Sequence, residues 1–130
     1  MIVTRNEAAQ YGVTFSDGKH TGLADAIAAD GGREAGFKPF ALLEASLATC
    51  TAMAIRMYAD RHGWPLPGLE VRVKLDQSRA GAPVLRYDVD FGSDDLAPDI
   101  RERLLRVATA CPVHKALAKP MAVERSELVV

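Results

Sequence analysis

From Pro39 to about Arg61 the chain contains nothing that breaks a helix, and it is apolar on nearly every side. Pro39 suits a first helical position, where its missing N–H costs nothing. Phe40, Leu42, Leu43, Leu47, Met53, Ile55, Met57 and Tyr58 then follow at spacings that leave no polar stripe. A helix of this kind has to be covered on most sides. At ~1.5 Å per residue it would be ~33 Å long, about the width of a small domain. One small domain cannot easily wrap such a rod. The expectation is therefore a buried central helix partly covered by a second copy of the chain. Glu44 and Arg56 interrupt the run, which reads as too polar for a bilayer-spanning segment.

Gly63 and the turn Pro65-Leu66-Pro67-Gly68 end the helix. Leu69 to Asp76 alternates strictly, as a half-buried strand does, and Val84 to Phe91 returns as its antiparallel partner. Pro98 opens a second helix, with Ile100, Leu104, Leu105 and Val107 on one face. Pro112 interrupts it and starts a short helix to Ala118. Met121 to Val130 reads as a final strand. Ahead of the long helix, Tyr11 to Phe15 reads as a strand, Ser16-Asp17-Gly18 as a turn, and Lys19 to Leu23 as a returning strand. Asp30 to Gly36 holds three glycines and reads as an unrestrained loop. Strands and helices are grouped rather than alternating, which predicts an α+β fold over a single domain, residues 1–130.

The formal net charge is -1, and basic residues are interleaved with acidic ones. This gives no electrostatic reason to expect nucleic acid or an acidic membrane surface as partner. The N-terminal stretch meets Arg5 and Glu7 before any apolar core could form, so no signal peptide is read there. The expectation is a soluble, cytoplasmic protein. No phosphate-binding glycine motif and no Gly-x-Ser-x-Gly elbow is present.

Two cysteines remain as candidates for chemistry. Cys50 lies midway along the apolar helix, surrounded at helical spacing by Leu43, Ser46, Leu47, Met53, Ala54 and Met57. That environment alone would raise the thiol pKa and describe an inert core cysteine. Cys111 directly precedes Pro112 and so sits near a helix N-cap, where free N–H groups favour a thiolate. The alternative is a helix-boundary cysteine with no task. The two are too far apart for a local Cys-x-x-Cys motif, so any pairing must come from the fold. Cys50, Cys111, His20 and His114 could also supply a Cys2His2 ligand set, although the spacing matches no zinc pattern.

The segment Pro39 to Met53, a proline-led run of Leu and Ala ending in a small residue, a cysteine and then a methionine, resembles the helix motif of the OsmC/Ohr hydroperoxide-reductase family. Arg56 to Trp64 continues as in the OsmC-like branch, and Cys111-Pro112-Val113-His114 resembles that branch's second cysteine motif. The similarity runs from about residue 10 to the end. It implies antiparallel sheets around a long central helix, and an intertwined homodimer with active sites near the interface. It implies that Cys50 is the peroxidatic cysteine, passing through a sulfenic acid, and that Cys111 resolves it as a Cys50–Cys111 disulfide. An external dithiol or lipoyl-type reductant would restore the pair. No metal, flavin or other cofactor is implied. Leu43, Leu47, Met53 and Met57 would suit an organic hydroperoxide as substrate.

The resemblance also implies an arginine at the thiolate, oriented by a glutamate nine or ten positions before the first cysteine. Ala41 and Phe40 hold those positions here. Glu44 is the nearest substitute, and its alternative is a helix residue paired with a nearby cation. Arg33, in the glycine-rich loop, is the candidate arginine, and its alternative is a solvated loop cation. Arg5 is a second candidate. A rival reading of the whole chain is a non-catalytic member of the same fold, a small-molecule-binding or accessory dimer.

Overall fold

The computed structural model describes residues 1–6 and 10–126. The chain forms two compact units, Met1–Ala45 and Ser46 onward, with the boundary inside the long helix. The fold is mixed α+β with antiparallel sheets and one long helix.

The first unit carries three short strands, β1 (Val3–Asn6), β2 (Val13–Ser16) and β3 (Thr21–Ala24). They form one antiparallel sheet in the order β1-β2-β3. Arg5 pairs with Thr14 across β1 and β2, and Phe15 with Gly22 across β2 and β3. The β2–β3 turn is fixed by Asp17, whose carboxylate accepts the N–H groups of Lys19 and His20 at 2.8 and 2.7 Å. The same carboxylate holds the His20 ring at 3.0 Å. These bonds lower the Asp17 pKa to about 2, the His20 side chain contributing most.

The segment between β3 and the long helix departs from the unrestrained loop expected there. Asp25 is buried and accepts N–H groups from Ala26, Arg33 and Ala35. A 3-10 turn at Ala28–Asp30 follows. Gly31, Gly32 and Glu34 donate to the carbonyls of Ala28, Ile27 and Ala26. A Cβ on Gly32 would collide with the Ala26 carbonyl, and one on Gly36 with that of Leu23. The glycines here permit close backbone packing rather than slack.

Helix α1 (Pro39–Arg61) has the bounds the proline and glycine signals predict. Within one chain it is buried only along the stripe Leu47, Thr51, Ile55 and Ala59, at i+4 steps. Met53 and Met57 stay 53% and 54% exposed. Burial on most sides is therefore not achieved by a single chain. By length and apolar composition α1 also meets the minimum for crossing a membrane, so Glu44 and Arg56 do not by themselves exclude a span as the sequence reading supposed. Its packed stripe marks it as a core helix.

In the second unit β4 (Glu70–Asp76) and β5 (Val84–Asp90) pair antiparallel, with Val73 opposite Tyr87. Odd-numbered residues turn inward, and Glu70, Arg72 and Lys74 turn out. On that outer face Arg72 bridges Glu70 and Asp88 at 2.6 and 3.1 Å. Helix α2 (Pro98–Ala110) starts at its proline, and α3 (Pro112–Leu117) at the next. The core consists of Ile55, Ala59, Leu66, Phe91, Leu104 and Ala108. Ile100 and Val107 pack against it, but Leu105, expected on the same face, is 40% exposed. Arg103 lies over the Trp64 ring at 4.9 Å and donates to the Tyr58 hydroxyl at 2.9 Å. Residues 121–126 are not a strand, and the rest of the expected final strand lies outside the described residues.

Candidate active site

Pro112 decides the geometry at one end of the site. It cannot continue α2, so Cys111 adopts an extended conformation (φ -63°, ψ 142°) and becomes the N-cap of α3. Its sulfur turns back over the new helix and accepts the His114 N–H at 3.2 Å. The His114 ring is held edge-on to Tyr87 of β5, with centroids 5.9 Å apart, which ties the start of α3 to the hairpin.

Helix α1 supplies the other end. Cys50 is half-buried and Cys111 is buried, with 1% exposure, and both are free thiols. The two thiols lie near enough to perturb each other's ionisation, and the Val113 amide acts on both. Thr51, also 1% exposed, places Oγ1 4.0 Å from Cys111 Sγ. The fold thus brings together the two cysteines that local spacing kept apart.

Charge is not shared equally between them. Burial, the largest effect, raises the Cys50 pKa, and the bond to Cys111 raises it further against the pull of the Val113 amide. Burial also opposes ionisation of Cys111. There it is outweighed by hydrogen bonds from the His114 amide, the Cys50 thiol, the Thr51 hydroxyl and the Val113 amide, and the pKa falls below its usual value. Of the two, Cys111 is the sulfur that ionises more readily. The amide at the start of α3 pulls Cys50 toward ionisation as well, but burial outweighs it.

The remaining candidates lie elsewhere on the chain. Arg33 donates Nε to Gln10 Oε1 at 2.6 Å, within the first unit. Glu44 lies in the part of α1 belonging to that unit. With Phe40, Ala41, Tyr11 and Asp25 it lines a largely apolar cavity of about 780 Å³. The positions where a glutamate was expected therefore face open volume. Arg5 is on the exposed β1. Leu43 is half-buried and Leu47 is part of the buried stripe, whereas Met53 and Met57 border an open hollow of about 320 Å³ with Arg56 and Leu69. Among the described residues no group of three or more His, Cys, Asp or Glu side chains converges as metal ligands. Thr51 and Asp25 were not singled out from the sequence. Thr51 could have been found, since it stands one turn from both Leu47 and Ile55 as a hydroxyl in an otherwise apolar stripe.

A family pattern described as OsmC-like protein matches residues 30–126. No curated protein matches the sequence closely enough to count as a relative. Solved structures do resemble it. A Psychrobacter arcticus protein named for osmotic stress induction and a detoxification response is 19% identical, with a TM-score of 0.74 over 88% of this chain and 85% of that one. An OsmC-like protein from Mycoplasma pneumoniae is 22% identical, with a TM-score of 0.67 over 91% and 86%. The organic hydroperoxide resistance protein OhrB of Bacillus subtilis is 25% identical, with a TM-score of 0.59 over 89% and 87%.

Proposed function

The chain belongs to the OsmC-like protein family, and on that premise we propose that it is a thiol peroxidase that reduces organic hydroperoxides. The observation that carries the proposal is the contact between two free cysteines from α1 and the start of α3. An isolated core cysteine has no need of a second thiol near enough to perturb its ionisation. Two such neighbouring thiols are what a disulfide between α1 and the start of α3 requires.

In this reading Cys50, the more accessible sulfur, attacks the peroxide. A sulfur–oxygen bond forms, the O–O bond breaks, and the departing alkoxide takes the thiol proton and leaves as alcohol. Cys50 becomes a sulfenic acid. Cys111 then displaces hydroxide from it to form the disulfide, and an external dithiol or lipoyl-type reductant returns both thiols. The chemistry calls for no metal or flavin. Because burial makes Cys50 harder to ionise, attack needs a cation that favours the Cys50 thiolate as the peroxide arrives. We assign that role to Arg33, with Glu44 orienting it, on the family resemblance. Leu43, Leu47, Met53 and Met57 supply the apolar surface for the organic group. We further propose that two copies pack through the exposed side of α1 and that the protein works in the cytoplasm.

The test is consumption of cumene hydroperoxide with a dithiol reductant by wild type, Cys50→Ser and Cys111→Ser. Turnover that requires both cysteines supports the proposal. Equal turnover by wild type and Cys50→Ser would refute it.

A further inference from the structure

The buried stripe of α1 contains one polar side chain, Thr51, between Leu47 and Ile55. Placing a hydroxyl in such a stripe costs free energy unless it meets a partner. Among the described residues its hydroxyl has such a partner in Cys111 Sγ, and no buried side-chain polar atom is left without one. Valine has nearly the same shape and would fill the position without a polar group to satisfy. The hydroxyl therefore calls for an explanation beyond packing.

We propose that Thr51 is a positioning residue of the redox pair: its hydroxyl, together with the His114 amide, favours the thiolate of Cys111 and so readies that sulfur to close the disulfide. This rests on the thiol-peroxidase reading above. The titratable group set against Cys111 is Cys50 of α1, and the other groups bonding it are neutral, the Thr51 hydroxyl and the amides of Val113 and His114. A hydroxyl can donate to a thiolate, and the partially positive hydrogen lowers the energy of the anion. The step it serves is the second one. The electron pair of the Cys111 thiolate forms the S–S bond, the Cys50 S–O bond breaks, and hydroxide leaves and becomes water by taking a proton from solvent. The two electrons given up by the sulfur pair have by then reduced the hydroperoxide to alcohol and water. A protonated Cys111 would have to lose its proton first, so closing slows in proportion to the thiolate lost.

The experiment uses the full-length reduced protein as wild type, Thr51→Val, Thr51→Ala and Thr51→Ser. One equivalent of cumene hydroperoxide is added, sulfenic acid is trapped with dimedone at intervals, and disulfide is counted. In Thr51→Val disulfide closing should slow about tenfold, the scale of one hydrogen bond to a charged group, with trapped Cys50 sulfenic acid rising to match. Thr51→Ser, which keeps the hydroxyl, should move back toward wild type. Thr51→Ala serves in place of Thr51→Val if the latter does not fold. Thiolate absorbance is titrated separately, without peroxide. The first ionisation should move to higher pH by about one pH unit in Thr51→Val and return in Thr51→Ser. Closing at the wild-type rate, or slower closing with an unmoved titration, would overturn the assignment. If wild type itself ignores the peroxide, the peroxidase reading fails, and the titration still decides what Thr51 does.

Discussion

The backbone N–H of His114 points at the sulfur of Cys111, 3.2 Å away, so one side chain both caps a helix and is held as the more readily ionised of the two thiols. The cap and the anion can be separated by mutation. Cys111→Ala removes both, whereas Cys111→Ser keeps an oxygen able to accept the same N–H. Urea unfolding should place Cys111→Ala below Cys111→Ser in stability by about 1 kcal/mol, the typical loss of an N-cap. Both should lack disulfide formation. Equal stabilities would mean that the sulfur does not cap α3.

Met53 and Met57, two apolar side chains of α1, are more than half exposed. Burying such side chains stabilises by about 1 kcal/mol or more each. A second chain seated there should be lost when charge is introduced. Light scattering is expected to give a dimer for wild type and a monomer for the double variant Met53→Glu, Met57→Glu. A monomeric wild type would contradict the proposed dimer.

Arg33 is assigned to the reacting Cys50 thiolate. Replacement by Met keeps the aliphatic stem and removes the charge. The rate of the first peroxide step should then fall about tenfold or more, equivalent to one pKa unit of lost thiolate stabilisation, while the Cys50–Cys111 contact stays intact. An unchanged rate would leave Arg33 as a loop cation bonded to Gln10 and return the search to Arg5.

Asp25 organises the loop that bears Arg33, and its pKa is lowered, first by the Ala35 amide. The unfolded carboxyl titrates near 3.8. The stabilisation from Asp25 is therefore fully present above that pH and is lost as pH falls through the lower folded value. Asp25→Asn should be less stable than wild type at neutral pH, and the gap should narrow on acidification below pH 3.8. A gap independent of pH would show that the ionised carboxylate is not what holds the loop.

Much of the fold is written locally. Pro39, Gly63, Pro98 and Pro112 mark the helix ends because each acts on its own backbone, and strict alternation from Glu70 to Asp76 marks a strand for the same reason. What failed depended on distant partners. The glycines from 31 to 36 look slack in sequence, and only the fold brings the carbonyls of Leu23 and Ala26 against Gly36 and Gly32. Strand β1 exists because β2 pairs with it. The cysteines could be named from their motifs, and the direction of each pKa follows from local features, an apolar helix around Cys50 and an N-cap at Cys111. Their approach to each other, and that of the Thr51 hydroxyl to Cys111, depend on the fold and do not follow from spacing.

The most direct test of the account is a thiol count on the reduced, anaerobic protein before and after one equivalent of cumene hydroperoxide, followed by peptide mapping. The account predicts rapid loss of both thiols and an intramolecular Cys50–Cys111 disulfide. Two thiols left unreacted would contradict it, and would mean that this chain keeps the fold and the paired cysteines without the peroxidase chemistry.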